Sequence, residues 1–197
     1  FDNIPNPLPP NVVSLGYQAT QTAEFGDHIS FAETSRSLSS VTVTMSNWAL
    51  NSTYPTMGAE GFTHPITLNI YEVNKDGADP VVGDLITSLT QDFLIPWRPE
   101  ASPECGTAWK ASDGNCYNGY AFNIVFDFTG KNVTLPDEII YGVAYNTNTW
   151  GANPIGQPGP YESLNVGLNT TTGPSAGTDV EPDAVFWNTS TAGWYAD

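Results

Sequence analysis

Between Tyr120 and Phe128 every second residue is large and apolar: Tyr120, Phe122, Ile124, Phe126 and Phe128 alternate with Ala121, Asn123, Val125 and Asp127. A repeat of two places one set of side chains on one face of a strand, whereas on a helix the same residues would wind round every side. The pattern returns in Val41, Val43 and Met45, in Ile66, Leu68 and Ile70, in Ile139, Tyr141, Val143 and Tyr145, and in Leu164, Val166 and Leu168. Shorter apolar runs mark further strands at His28 to Phe31, Leu85 to Leu89, Phe93 to Ile95 and Val185 to Trp187. No window carries a helical period longer than two turns. NKDG, SDGN, NTNTWG and GQPGP supply turn chemistry between the strands. The expectation is one all-β domain over residues 1–197, a single antiparallel β-sandwich, jelly-roll-like, of about eight to ten strands. Residues 1–10, rich in Pro, form an extended arm, and Thr170 to Thr178 reads as a mobile loop.

Charge narrows the partners. Five basic residues stand against 21 acidic ones, a formal net charge of −16. Such a surface repels polyanions, which excludes nucleic acid and disfavours an anionic membrane surface. The same repulsion strains the folded state at neutral pH unless carboxylates are protonated or neutralised by a cation. No stretch reaches the roughly 18 apolar residues of a membrane helix, so no membrane insertion is expected. A start at Phe1 fits a processed chain, and with few Lys, many Thr and Asn, and sparse Cys it predicts a secreted, extracellular protein. Four Asn-x-Ser/Thr sequons occur, at Asn51, Asn132, Asn169 and Asn188. Chance supplies about three from this composition, so their use is left open.

The two cysteines, Cys105 and Cys116, flank a short loop. In an extracellular chain that spacing predicts a disulfide, worth about 3 kcal/mol on the chain-entropy model. It can serve as a staple on a long connection, or it can hold Trp109 in an exposed pose. Gly106, Ser112, Asp113 and Gly114 around Trp109 are loop formers with no strand alternation to bury it. Trp48 and Trp187 lie at strand-like positions and are expected in the core. Trp97, Trp109 and Trp150 lie among Pro, Gly and Asn, where sugar-stacking platforms are found. The long segment after Tyr145 adds Asn146, Asn148, Tyr161 and Glu162, which can hydrogen-bond hydroxyls. That segment can equally pack over the end of the sandwich.

Three carboxylates alternate in TDVEPD. Asp179, Glu181 and Asp183 are candidate ligands for a structural calcium ion, or a solvated acidic loop. Beyond that ion no cofactor is expected. The run EVNKDGAD echoes an EF-hand loop, but Gly83 stands where the closing Glu belongs, and a hairpin turn is the better reading. With only His28 and His64, both near apolar β runs, a histidine zinc site is not expected. Phe1 cannot supply an amino-terminal histidine brace for copper, and no G-x-S-x-G marks a nucleophile. Paired carboxylates carry no local motif and stay open, with Glu162 the first suspect.

Longer stretches, among them EFGDHISFAETSRSLSSVTVTMSNW, PITLNIYEV, IPWRP, NCYNGYAF, LPDEIIYGVAYNT, PYESLNVGL and GTDVEPDAVFWNTS, resemble a family of secreted or surface-anchored β-sandwich domains of unassigned activity in bacteria and fungi. IYEV followed by GDLITSLTQDF is similar to a strand-turn-strand unit of anchored jelly-roll domains. The resemblance implies one extracellular domain and carries over no catalytic residue; the low cysteine count departs from it. These readings converge on a secreted, non-catalytic recognition module for polysaccharide or cell-wall glycan, with Trp97, Trp109, Asn146, Asn148, Trp150, Tyr161 and Glu162 as ligand-binding candidates. The alternatives are a small glycan-active hydrolase or lyase using two carboxylates, and a structural wall protein.

Overall fold

The computed structural model describes residues 1–77, 81–170, 172–190 and 193–196. Its strands are β1 (Val13–Gly16), β2 (Thr22–Ser30), β3 (Ser40–Asn47), β4 (Gly61–Asn74), β5 (Val81–Pro96), β6 (Trp109–Lys110), β7 (Cys116–Tyr117), β8 (Tyr120–Asp127), β9 (Glu138–Ala144), β10 (Leu164–Leu168), β11 (Thr178–Asp179), β12 (Phe186–Thr189) and β13 (Gly193–Ala196). The one α-helical segment among the described residues is a single turn, α1 (Tyr17–Thr20). It is far too short to cross a membrane, and no described helix is long and apolar enough to do so.

Each periodic run of the sequence is a strand, and every named pairing is antiparallel. One sheet has the order β1-β10-β3-β8. The other runs β13-β12-β2-β9-β4-β5, with β11 pairing to β2 beside β12. Leaving aside the short β6, β7 and β11 to β13, the eight remaining strands stand first-eighth-third-sixth in one sheet and second-seventh-fourth-fifth in the other. The fold is an all-β, sandwich-like one of antiparallel sheets. The segments at Leu85 to Leu89 and Phe93 to Ile95 join into one long strand, because pairing with β4 continues through Thr90, Gln91 and Asp92. The NKDG stretch leads into the turn of that hairpin, as its sequence predicts; Ala78 and Asp79 of the EF-hand echo lie outside the described residues.

The inner faces of the two sheets make the core. Val43, Met45, Ile124 and Phe126 come from one; Phe25, Ile29, Ile66, Leu68, Ile70 and Val143 come from the other. Tyr17 on α1 is fully buried beside Tyr145, with ring centroids 3.9 Å apart, and its hydroxyl donates to the carbonyl of Val143. The arm is tied down by backbone bonds from Asp2 to Ala176 and from Ala121 to Pro10. In the Thr170 to Thr178 segment this contact holds Ala176; Thr171 lies outside the described residues.

Register decides which side chains leave the core. On β2 and β9, Phe25 pairs with Val143 and Ile29 with Ile139, all inward. Glu24, Gly26 and His28 therefore face outward with Ala144, Gly142 and Ile140. On β4 the inward Ile66, Leu68 and Ile70 leave Thr67, Asn69 and Tyr71 outside, next to the same β9 residues.

Candidate functional site: a buried carboxylate on the outer face of the larger sheet

The sequence-derived candidates divide into three groups. Trp109 is buried, not displayed: only 8% of its surface is exposed, and its indole N–H donates to the carbonyl of Gly119 at 2.8 Å. The Cys105–Cys116 disulfide is formed, with Cα atoms 5.6 Å apart. It closes β6 against β7, where Trp109 pairs with Tyr117 and packs its ring on Tyr117 and Tyr120. The staple thus encloses a small satellite core that loop composition alone does not announce. A buried Arg98 braces it by donating to the carbonyls of Thr107 and Asn118.

Trp97 is also buried rather than exposed. It donates to the carbonyl of Gly58 at 2.8 Å and stacks on Tyr54, the planes 10° apart. Trp48 reverses the expectation the other way: placed in the core by its strand-like context, it is 45% exposed. It continues the outward parity of β3, and its indole N–H donates to Ser46. Trp187, half-buried, packs against the core from β12.

The segment between β9 and β10 holds the remaining candidates in a network of its own. Trp150, half-buried, donates its backbone N–H to Thr147 Oγ1 and accepts from the Thr147 N–H. Asn146 accepts from His64 Nε2 through its carbonyl and from the Asn153 N–H through its side chain. The Asn148 carbonyl accepts from Gly156 N–H, and its side-chain oxygen is buried without a hydrogen-bond partner. Glu162 accepts from Thr149 Oγ1 at 2.6 Å. The Tyr161 ring lies on His64, 4.9 Å between centroids, and borders an open depression of about 590 Å³ with Met57, Phe62 and Leu94. The backbones of Asn146, Asn148 and Trp150, with the Asn146 side chain, thus help order the loop over the end of the sandwich.

Asp179 lies in β11 against Ile29, and among the described residues no group of three or more His, Cys, Asp or Glu is arranged to hold a metal ion.

The site with the most developed chemistry was not singled out in the sequence. Glu24, in the middle of β2, is 5% exposed although it faces away from the core. Its Oε1 accepts from Asn69 Nδ2 at 2.8 Å, and both oxygens accept from the Tyr71 hydroxyl at 3.1 and 3.2 Å. Asn188 on β12 lies beside it, register partner of both Glu24 and Trp194. Ser88 on β5 extends the network by donating to Asn69 Oδ1 at 2.6 Å. Thr67 and Thr90 are hydrogen-bonded one row away on the same face. Trp194 on β13 closes over Tyr71, ring against edge at 5.4 Å. Gly142 forms the floor: a Cβ there would collide with the Glu24 carboxylate, so only glycine leaves it room.

Burial raises the Glu24 pKa above the ordinary glutamate value, and the hydrogen bonds from Asn69 and Tyr71 pull partly against it. Burial, and then the Glu24 charge, also push the Tyr71 phenol up, which keeps it a donor. The result is a polar and aromatic surface, half-exposed at Asn69, Tyr71, Asn188 and Trp194, organised around an acceptor beneath it. The sequence did carry a signal. Thr67 and Asn69 occupy the outward parity of β4, and Glu24 interrupts an otherwise apolar or small stretch next to Gly26.

Comparison with protein-family models, curated proteins and solved structures finds no match.

Proposed function

We propose that the chain is a secreted, non-catalytic module that recognises polysaccharide on the outer face of the larger sheet around Glu24. The observation that carries this reading is the buried Glu24 carboxylate fixing Asn69 and Tyr71 in place beside Asn188 and Trp194. A pre-set amide and a phenol beside an aromatic ring match what a sugar offers, hydroxyls round its rim and an apolar C–H face. Side chains already held by a buried acceptor lose little freedom on binding, which favours a ligand that brings only weak individual contacts. The disulfide is compatible with an extracellular setting, as are the acidic composition and the family resemblance read from the sequence.

Glycan hydrolysis is the second reading, favoured by the raised pKa of Glu24. It needs a second carboxylate at working distance, and the shift at Glu24 comes chiefly from burial. A structural wall protein would bind nothing.

Affinity electrophoresis through a panel of cellulose derivatives, xylan, β-glucan, mannan, pectin and soluble chitin fragments separates these readings. The expected result is retardation by at least one glycan, without release of reducing ends. Trp194→Ala should weaken it roughly tenfold, the loss of one aromatic contact, and Trp48→Ala should leave it unchanged. Retardation lost in Trp48→Ala instead would move the ligand to the smaller sheet. Reducing ends would favour the hydrolase, and no retardation on any glycan would refute recognition.

A further inference from the structure

The four sequons occupy very different surroundings, and we infer that Asn132 is the N-glycan acceptor of this protein while Asn51, Asn169 and Asn188 stay bare. An N-glycan replaces one amide hydrogen and adds a bulky hydrophilic chain, so the folded state must leave the amide unused and the space above it open.

Asn188 fails the second condition. It is half-buried in β12 between its register partners Glu24 and Trp194, and a sugar on it would push those neighbours apart. Asn169 has its amide committed. Its Nδ2 donates to the Asn3 carbonyl at 2.9 Å, to Asn3 Oδ1 at 2.8 Å and to Thr172 Oγ1, and so holds the arm to the end of β10. Asn51 is half-buried in a single 3-10 turn and donates to the carbonyl of Gly58 at 3.2 Å, in the segment that also accepts Trp97.

Asn132 is different on each count. It is exposed, at the tip of the connection between β8 and β9, with a left-handed backbone at φ 55° just after Gly130 at φ 77°. Among the described residues its amide reaches only the neighbouring Gly130 carbonyl, at a long 3.4 Å. Thr134, the sequon hydroxyl, is exposed too, on a short stretch that pairs with Ser37 through an isolated bridge. The connection enters β9 at Glu138, whereas Glu24 lies level with Ala144 at the far end of that strand. A glycan on Asn132 therefore leaves the Glu24 face clear, and the inference stands whether or not that face binds sugar.

The test is to secrete the full chain from a eukaryotic host and map its tryptic and chymotryptic peptides by mass spectrometry, with and without peptide-N-glycosidase. The expected result is highest occupancy at Asn132, with the other three sequons unmodified in folded, disulfide-intact protein. Asn132→Gln should then remove the glycosidase-sensitive mass shift without lowering the melting temperature. Equal or higher occupancy at Asn51, Asn169 or Asn188, or an unmodified Asn132, would overturn the inference.

Discussion

Glu24 and Asp27 sit three residues apart on one strand, and both carry carboxyl pKa values raised chiefly by burial. Their surroundings differ in kind. Glu24 is met by donors from β4, namely Asn69 and Tyr71, with Asn188 of β12 beside it. Asp27 has one backbone donor, the His28 N–H at 2.8 Å, and faces Asp179 and Glu181 across the β2–β11 edge, with the Tyr141 phenol nearby. Its pKa is pushed up to about 7. The first carboxylate is built into its site; the second is a local conflict that the fold tolerates. In a chain with 21 acids, exposure alone does not tell which carboxylates matter, but the donors around each one do.

The sharpest way to break this comparison is to delete the acceptor. Glu24→Ala leaves the half-buried donors Asn69 and Tyr71 without their acceptor and should lower stability by roughly 3 kcal/mol, measured by urea unfolding at pH 7. A loss below about 1 kcal/mol would mean that the network is not held by Glu24.

Asp27 should respond with the opposite sign. A carboxyl whose folded pKa lies above its unfolded value stabilises the fold fully below the unfolded value, and that stability is lost as pH rises through the folded one. For Asp27 the window runs from about pH 4 to about pH 7. Asp27→Asn keeps the acceptor for the His28 N–H and should gain roughly 2–3 kcal/mol at pH 7, with no gain near pH 4. In the wild type the melting temperature should rise from pH 7 to pH 5. Buried His64, whose pKa is lowered, opposes that trend, because charging it favours the unfolded chain. Glu138, Asp113 and Asp127 have lowered values and stay ionised throughout this range. A melting temperature in Asp27→Asn that follows the wild-type pH curve would assign the trend to general repulsion instead.

The smallest expected effect is at Tyr71. Tyr71→Phe removes one donor to Glu24 while Asn69 remains, so thermal melting should report a loss of about 1 kcal/mol.

The strands were legible because one rule, burial of alternate residues, acts along the whole of Tyr120 to Phe128 and Ile66 to Ile70. Tryptophan exposure was not, because it depends on what lies above each residue. Trp109 looked displayed among Gly, Ser and Asp, yet the disulfide folds β6 and β7 back over it. Trp48 followed an apolar strand and looked buried, yet parity turns it outward with Ser46. The Glu24 site joins residues from β2, β4, β5 and β12, far apart in the chain. Register brings them together, and a strand-by-strand reading does not contain that register.

The central claim is that the larger sheet presents the ligand face, and amide and indole chemical shifts test it most directly. ¹⁵N-labelled protein would be titrated with fragments of whichever polysaccharide retards it. The Trp194 indole and the side-chain amides of Asn69 and Asn188 should shift together, while the Trp48 indole stays fixed. Shifts confined to Trp48 and its neighbours Ser46 and Asn11, or no shift in any side chain of the Glu24 face, would contradict the account.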